Sequence, residues 1–148
     1  MKTIKSLLAI IAIAAIALPC QAQEGEKDVE YLGSSDNFPF SEAVRVGDLL
    51  FLSGAIGYDN ETEAVVEGGI QPETRQTLDN IKARLEKFGA SMDDVVKCTV
   101  MLADIAEWPA MNEVYATYFP TNKPARSAFA GSGLALGARV EIECIAAL

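Results

Sequence analysis

From Ala43 to Ala147 the apolar residues switch repeatedly between a spacing of two and a spacing of three to four, and this restricts the fold more than any single motif. Val44 and Val46 alternate with Arg45, Gly47-Asp48 supplies a two-residue turn, and Leu49 to Leu52 resumes the strand pattern. That predicts a tight hairpin ended by Ser53-Gly54. Gly57 to Gly69 is acidic and loop-like. Leu78, Ile81, Leu85 and Phe88 then form one apolar helical face, with Pro72 suited to the first turn and Gly89 to the stop. Val95 to Ala103 returns to period two, placing Val96, Cys98, Val100 and Leu102 opposite Lys97, Thr99 and Met101. A second helix is expected near Pro109 to Phe119, with Met111, Val114, Tyr115 and Tyr118 as its buried stripe and Pro120 as its end. Ala125 to Ala130 is a short strand. Arg139 to Ala147 sets Val140, Ile142, Cys144 and Ala146 opposite Arg139, Glu141, Glu143 and Ile145. The order β-β-α-β-α-β-β, with one apolar face per helix, predicts an α+β domain with both helices on one side of a single sheet. The other sheet face keeps Met101, Phe129 and Ile145, so an oligomer that covers it is expected.

The N-terminal segment has a different character. Lys2 and Lys5 precede an unbroken apolar run from Leu7 to Leu18, Pro19 follows, and Cys20-Gln21-Ala22 offers small residues at a cleavage site. This is the order of a secretory signal peptide over residues 1–22. The run is shorter than the ~18–20 residues of a membrane span. An uncleaved anchor is the alternative, and Pro19 argues against lipidation at Cys20. The chain is therefore expected to be exported, periplasmic or secreted after cleavage near Ala22, with no membrane contact afterwards. Residues 23–148 then form one domain, of which residues 23–40 read as an extended lead-in and Glu24 to Glu30 as a solvated leader.

Composition excludes several kinds of chemistry. Of the 148 residues none is histidine, which removes histidine-based triads and histidine metal sites. Loss of Lys2 and Lys5 takes the basic count from 12 to 10 against 21 acidic residues, a net charge of −11. Such a surface repels phosphate backbones, so nucleic acid is not expected as a partner. Cys98 and Cys144 each sit in an apolar strand-like run and read as buried free thiols, although export would permit a disulfide. There is no Cys-x-x-Cys, and Gly131-Ser132-Gly133 lacks the third glycine of a dinucleotide loop because Leu136 stands there. Asn60-Glu61-Thr62 matches a glycosylation acceptor, relevant only in a eukaryotic source.

Pro124-Ala125-Arg126-Ser127-Ala128-Phe129 and the later Glu141 are the residues best suited to chemistry. A guanidinium offers a planar fork of donors matched to a carboxylate. If the last two strands pair through a loop near Gly131 to Gly137, Arg126 and Glu141 come near each other. On the residues alone, a structural ion pair or an interface pair is a better reading of Arg126 and Glu141 than a site. Trp108 reads as a packing residue at a helix start rather than a ligand platform. Asn112 is a pocket candidate, and Ser53 either terminates its strand or donates within a site.

The segment Pro124-Ala125-Arg126-Ser127-x-Phe129-x-x-Ser132-x-Leu134, followed by Val140-Glu141-Ile142, resembles the signature of the RidA/YjgF family, the reactive enamine/imine intermediate deaminases, also labelled endoribonuclease L-PSP-like. Ser53-Gly54, Gln76-Thr77-Leu78-x-Asn80, Val96-Lys97-x-Thr99-Val100 and Met111-Asn112-x-x-Tyr115 fall in family order, so the likeness spans roughly residues 30–148. The resemblance implies a chorismate-mutase-like fold, a homotrimer with sites in clefts between subunits, and cofactor-free, metal-free hydrolysis of 2-imino acids to 2-oxo acids and ammonia. It implies that Arg126 holds the substrate carboxylate, that Glu141 positions or activates water, and that Ser53, Gly54 and Asn112 line the pocket. Two pocket positions depart from the pattern: Phe40 stands for a tyrosine and Ala128 for a cysteine. A rival reading is a trimeric module that captures small carboxylates without turnover. A protein inhibitor or chaperone-like module is a third, which nothing in the sequence selects.

Overall fold

The computed structural model describes residues 28–148. The signal-peptide reading of residues 1–22 lies outside the described residues. Nine strands and two helices follow in the order β1 (Val29–Leu32), β2 (Ala43–Val46), β3 (Leu49–Leu52), β4 (Ala55–Ile56), β5 (Tyr58–Asp59), β6 (Ala64–Val65), α1 (Ile70–Lys87), β7 (Val95–Leu102), α2 (Trp108–Tyr118), β8 (Ala125–Ala130) and β9 (Val140–Ala147). The main sheet runs β1-β2-β3-β9-β7-β8, with β4 also on β9, while β5 and β6 form a separate small hairpin. Every pair in the main sheet is antiparallel except β7 with β8. A parallel pair needs a crossover, and α2 supplies it.

The expected helices and the Ala43–Leu52 hairpin form where their spacing places them. Gly47 takes the left-handed φ of 56° at the hairpin turn. Pro72 sits in the first turn of α1, and Arg84 and Lys87 lie in its last turn, where cations suit the helix dipole. Both helices pack on one face, with Leu78, Ile81 and Leu85 of α1 and Met111 and Tyr115 of α2 sharing one core with Leu50, Val100 and Ile142.

Five expectations are corrected. The lead-in is not wholly solvated leader: Val29 to Leu32 pairs with β2 and adds an edge strand. Val96 does not share the buried face of β7, because the register shifts between Val95 and Lys97, burying Val95 and leaving Val96 exposed. Gly57 to Gly69 is not all loop, since β5 and β6 lie in it, and β4 precedes it. The last two strands do not pair; β7 lies between β8 and β9. Cys98 and Cys144 are not free thiols. They face each other across β7 and β9 and form a disulfide, with Cα atoms 4.1 Å apart.

The break at Ser53-Gly54 matters for the site. Phe51 pairs with Ile145, but Ala55 pairs with Ile142, so the β3–β4 side carries one residue more than β9 between those points. This is a bulge, a device that re-aims side chains. It lets Leu52 and Ala55, three residues apart, both face the core.

Candidate functional site

Arg126 projects from β8 toward α2. Its Nη1 donates to Oδ1 of Asn112 at 2.8 Å. Its guanidinium carbon lies 4.5 Å from the ring centre of Tyr115 and 5.6 Å from that of Trp108. Cations over aromatic faces are held by the ring quadrupole, worth about 0.5–2 kcal/mol per contact depending on desolvation. Trp108, Asn112 and Tyr115 fall at i, i+4 and i+7, so one face of α2 supplies all three contacts. Ala128, two residues along β8 and thus on the same face as Arg126, packs against the core. The arrangement fixes the guanidinium plane and spends one donor on Asn112, leaving further N–H groups for a carboxylate.

Tyr115 itself is buried, and its hydroxyl has no hydrogen-bond partner. Burial pushes its pKa up to about 12, against the opposing charge of Arg126, so the phenol stays neutral. By spacing alone Trp108 and Tyr115 are packing residues. The signal that could have found them is their helical spacing with Asn112.

Glu141 occupies the other half. It pairs with Ile56 of β4 and lies on the sheet face away from the helices, between the buried Val140 and Ile142. Its carboxylate rests on Gly54, where a β-carbon would collide with Oε1. Gly54 is thus required for space rather than for an unusual φ. Ser53 donates its hydroxyl to the carbonyl of Ser41 at 2.7 Å, and its own carbonyl accepts from Nη1 of Arg84 at 2.8 Å. Its hydroxyl proton is therefore engaged in holding the loop before β2. Phe40 and Gly54 line one cleft of about 540 Å³ with Phe38, Ile56, Tyr58 and Arg84. The Phe38 and Phe40 ring centres are 5.3 Å apart.

Within one chain, then, the candidate residues form two groups. Arg126, Asn112 and Ala128 stand on the helix side, and Ser53, Gly54, Phe40 and Glu141 gather around β4. Cys98 pairs with both Arg126 and Cys144, while Glu141 pairs with Met101. Arg126 and Glu141 are thus two strands apart and three residues out of step, roughly 14 Å between backbones, on opposite faces. No ion pair joins them, so the expected proximity within one chain is corrected, and with it the reading of an ion pair within one chain.

The model of the family described as Endoribonuclease L-PSP matches residues 35–148. The chloroplastic Reactive Intermediate Deaminase A of Arabidopsis thaliana is 39% identical over 140 residues, covering 95% of this chain and 72% of that protein. The 2-iminobutanoate/2-iminopropanoate deaminase of Homo sapiens is 42% identical over 108 residues, covering 73% of this chain and 79% of that protein. Among solved structures, E. coli TdcF with bound serine superposes with a TM-score of 0.71 at 30% identity, covering 79% of this chain and 92% of that one.

Proposed function

The chain belongs to the endoribonuclease L-PSP family, that of the reactive intermediate deaminases, and on that footing we propose that it hydrolyses 2-imino acids to 2-oxo acids and ammonia. The observation that carries the reading is the Arg126 guanidinium, held by Asn112 and two aromatic rings with donors to spare. In this reading Arg126 takes the substrate carboxylate and fixes the reacting carbon. A protonated imine carbon is already a strong electrophile, so the chemistry calls for no metal or cofactor. Water adds to that carbon as Glu141 accepts a proton from it. The resulting carbinolamine expels its protonated nitrogen as ammonia, and the C–N bond is replaced by the carbonyl. Positioning of this kind, together with a general base worth ~10²–10⁴-fold, provides the rate. Phe40 and Ala128 supply apolar pocket surface where the family has polar side chains.

The site is completed by a second copy of the chain, in a homotrimer. Two observations support this. Arg126 and Glu141 cannot serve one substrate from opposite faces of one sheet. The helix-free face also presents a continuous apolar row, Tyr31, Val44, Phe51 and Ile145 standing side by side across four strands. Tyr31 is 70% exposed in the single chain. Export with cleavage near Ala22 belongs to the same proposal. The basic, apolar, small-residue order of residues 1–22 supports it, as does a disulfide, which persists in oxidising compartments.

The test supplies imines made in situ by an amino-acid oxidase and measures 2-oxo acid release. The wild-type protein is expected to accelerate release, Arg126→Ala to abolish the acceleration, and Glu141→Gln to cut it by about 10²-fold or more. Full activity in Arg126→Ala would overturn the assignment. Binding of a 2-oxo acid without turnover would favour the carboxylate-capture reading instead.

A further inference from the structure

The two-residue strand β4, which faces Glu141, is too short to hold its own register. Helix α1 grips it from one side. Nδ2 of Asn80 donates to the carbonyls of Ile56 at 3.0 Å and Tyr58 at 2.8 Å, while its Oδ1 accepts from Gln76 at 2.9 Å. Two turns earlier on the same helix, Oε1 of Glu73 accepts the backbone N–H groups of Arg139 at 2.6 Å and Val140 at 3.1 Å. Glu73 is 2% exposed, which is costly for a carboxylate unless it is paired in this way. Gly57 leaves it room, since a β-carbon there would strike Cγ of Glu73. Ile56 is the last residue of β4 to pair with β9, opposite Glu141. Beyond that point the Glu73 carboxylate takes the N–H groups at the start of β9.

We propose that Glu73 and Asn80 are positioning residues for the hydrolysis: a polar clamp on α1 that sets the backbone just before Glu141 and the β4 strand opposite it, and so aims its carboxylate over Gly54. This rests on the deaminase reading of Glu141. It also gives a task to the Gln76-Thr77-Leu78-x-Asn80 motif, whose Gln76 steadies the Asn80 amide. Neither residue touches the Arg126 group, so the clamp acts on the water-activating half of the site and not on carboxylate binding.

The experiment measures kcat and KM for Asn80→Ala, Glu73→Ala and Glu73→Gln, each with Glu141 intact and with Glu141→Gln, alongside amide exchange over residues 139–142. Asn80→Ala is expected to lower kcat about 10–100-fold, the scale of a small misplacement, with KM within about twofold. Glu73→Gln keeps a carbonyl acceptor and restores most of what Glu73→Ala loses. On the Glu141→Gln background the clamp substitutions cost little more, because there is no carboxylate left to aim. Exchange at residues 139–142 speeds up in Asn80→Ala. Unchanged kcat and exchange in Asn80→Ala overturn the proposal, as do equal losses on both backgrounds with KM rising in step. If the wild-type protein itself releases no 2-oxo acid, the deaminase reading fails. Amide exchange then decides the clamp alone: faster exchange upholds it and unchanged exchange removes it. Should Glu73→Ala fail to fold, Asn80→Ala, which leaves the core apolar groups in place, carries the decision.

Discussion

At the scale of single residues, the two half-sites are built on opposite principles. Arg126 is held by contacts that a neighbouring helix face provides, whereas Glu141 is held by a space that Gly54 leaves open. Gly54→Ala should therefore displace the Glu141 carboxylate while the Arg126 group is undisturbed. The expected result is a kcat reduced by about 10²-fold with a nearly unchanged KM, read from steady-state release of 2-oxo acid. Tyr115 gives a second prediction. Its buried hydroxyl lacks a partner, a loss of about 1–3 kcal/mol that Tyr115→Phe removes. The variant should be at least as stable as the parent in urea and should keep the ring under Arg126. The folded phenol titrates near 12 and the unfolded one near the ordinary value of 10. The folded state thus holds its proton more tightly between those values. The related stability is complete below pH 10 and is lost as pH climbs toward 12, and Tyr115→Phe should soften that alkaline decline.

At the scale of elements, the central feature is β9, flanked by β3 and β4 on one side and β7 on the other. The Cys98–Cys144 disulfide joins β7 to β9 and closes a chain segment with a sequence separation of 46. In the chain-entropy picture such a closure stabilises by about 4 kcal/mol. Reduction, or the Cys98→Ala, Cys144→Ala pair, should lower the unfolding midpoint measurably, and equal midpoints with and without reductant would contradict it. The periods of both helices, the first hairpin, β8 and β9 were all legible, because each is written in residues close together in sequence. The β4 pairing was not. A two-residue strand has no period, and it exists because the Ser53-Gly54 bulge and the α1 side chains hold it against β9. The face of Val96 is not legible in the alternation for a similar reason: the register shift between Val95 and Lys97 is set by the partner strand.

At the scale of the molecule, one sheet face is covered by helices and the other carries Tyr31, Phe51 and Phe129 exposed. The proposed division of the site between two copies makes a sharp prediction. Arg126→Ala protein, inactive alone, and Glu141→Gln protein, strongly impaired alone, should regain activity when unfolded together and reassembled. Random mixing leaves about a quarter of the clefts with both residues intact. Regained activity near that fraction, with light scattering at the mass of three chains, is the expected outcome. No recovery from a mixed assembly would mean that the site does not cross subunits. Among the described residues no helix is long and apolar enough to cross a membrane.

The sequence by itself determined both helices and the apolar face of each, the first hairpin, β8 and β9, the residues Arg126, Glu141, Gly54 and Asn112 as candidates, and the family. These depend on spacing and on residue type at fixed offsets. Only the tertiary structure decided that β7 separates β8 from β9, that Cys98 meets Cys144, and that Arg126 and Glu141 look out of opposite faces. Alternation tells which residues of one strand share a face, but it carries no information about which strands become neighbours. That choice belongs to long-range pairing, where the crossover through α2, the bulge at Ser53-Gly54 and the Glu73–Asn80 clamp act together.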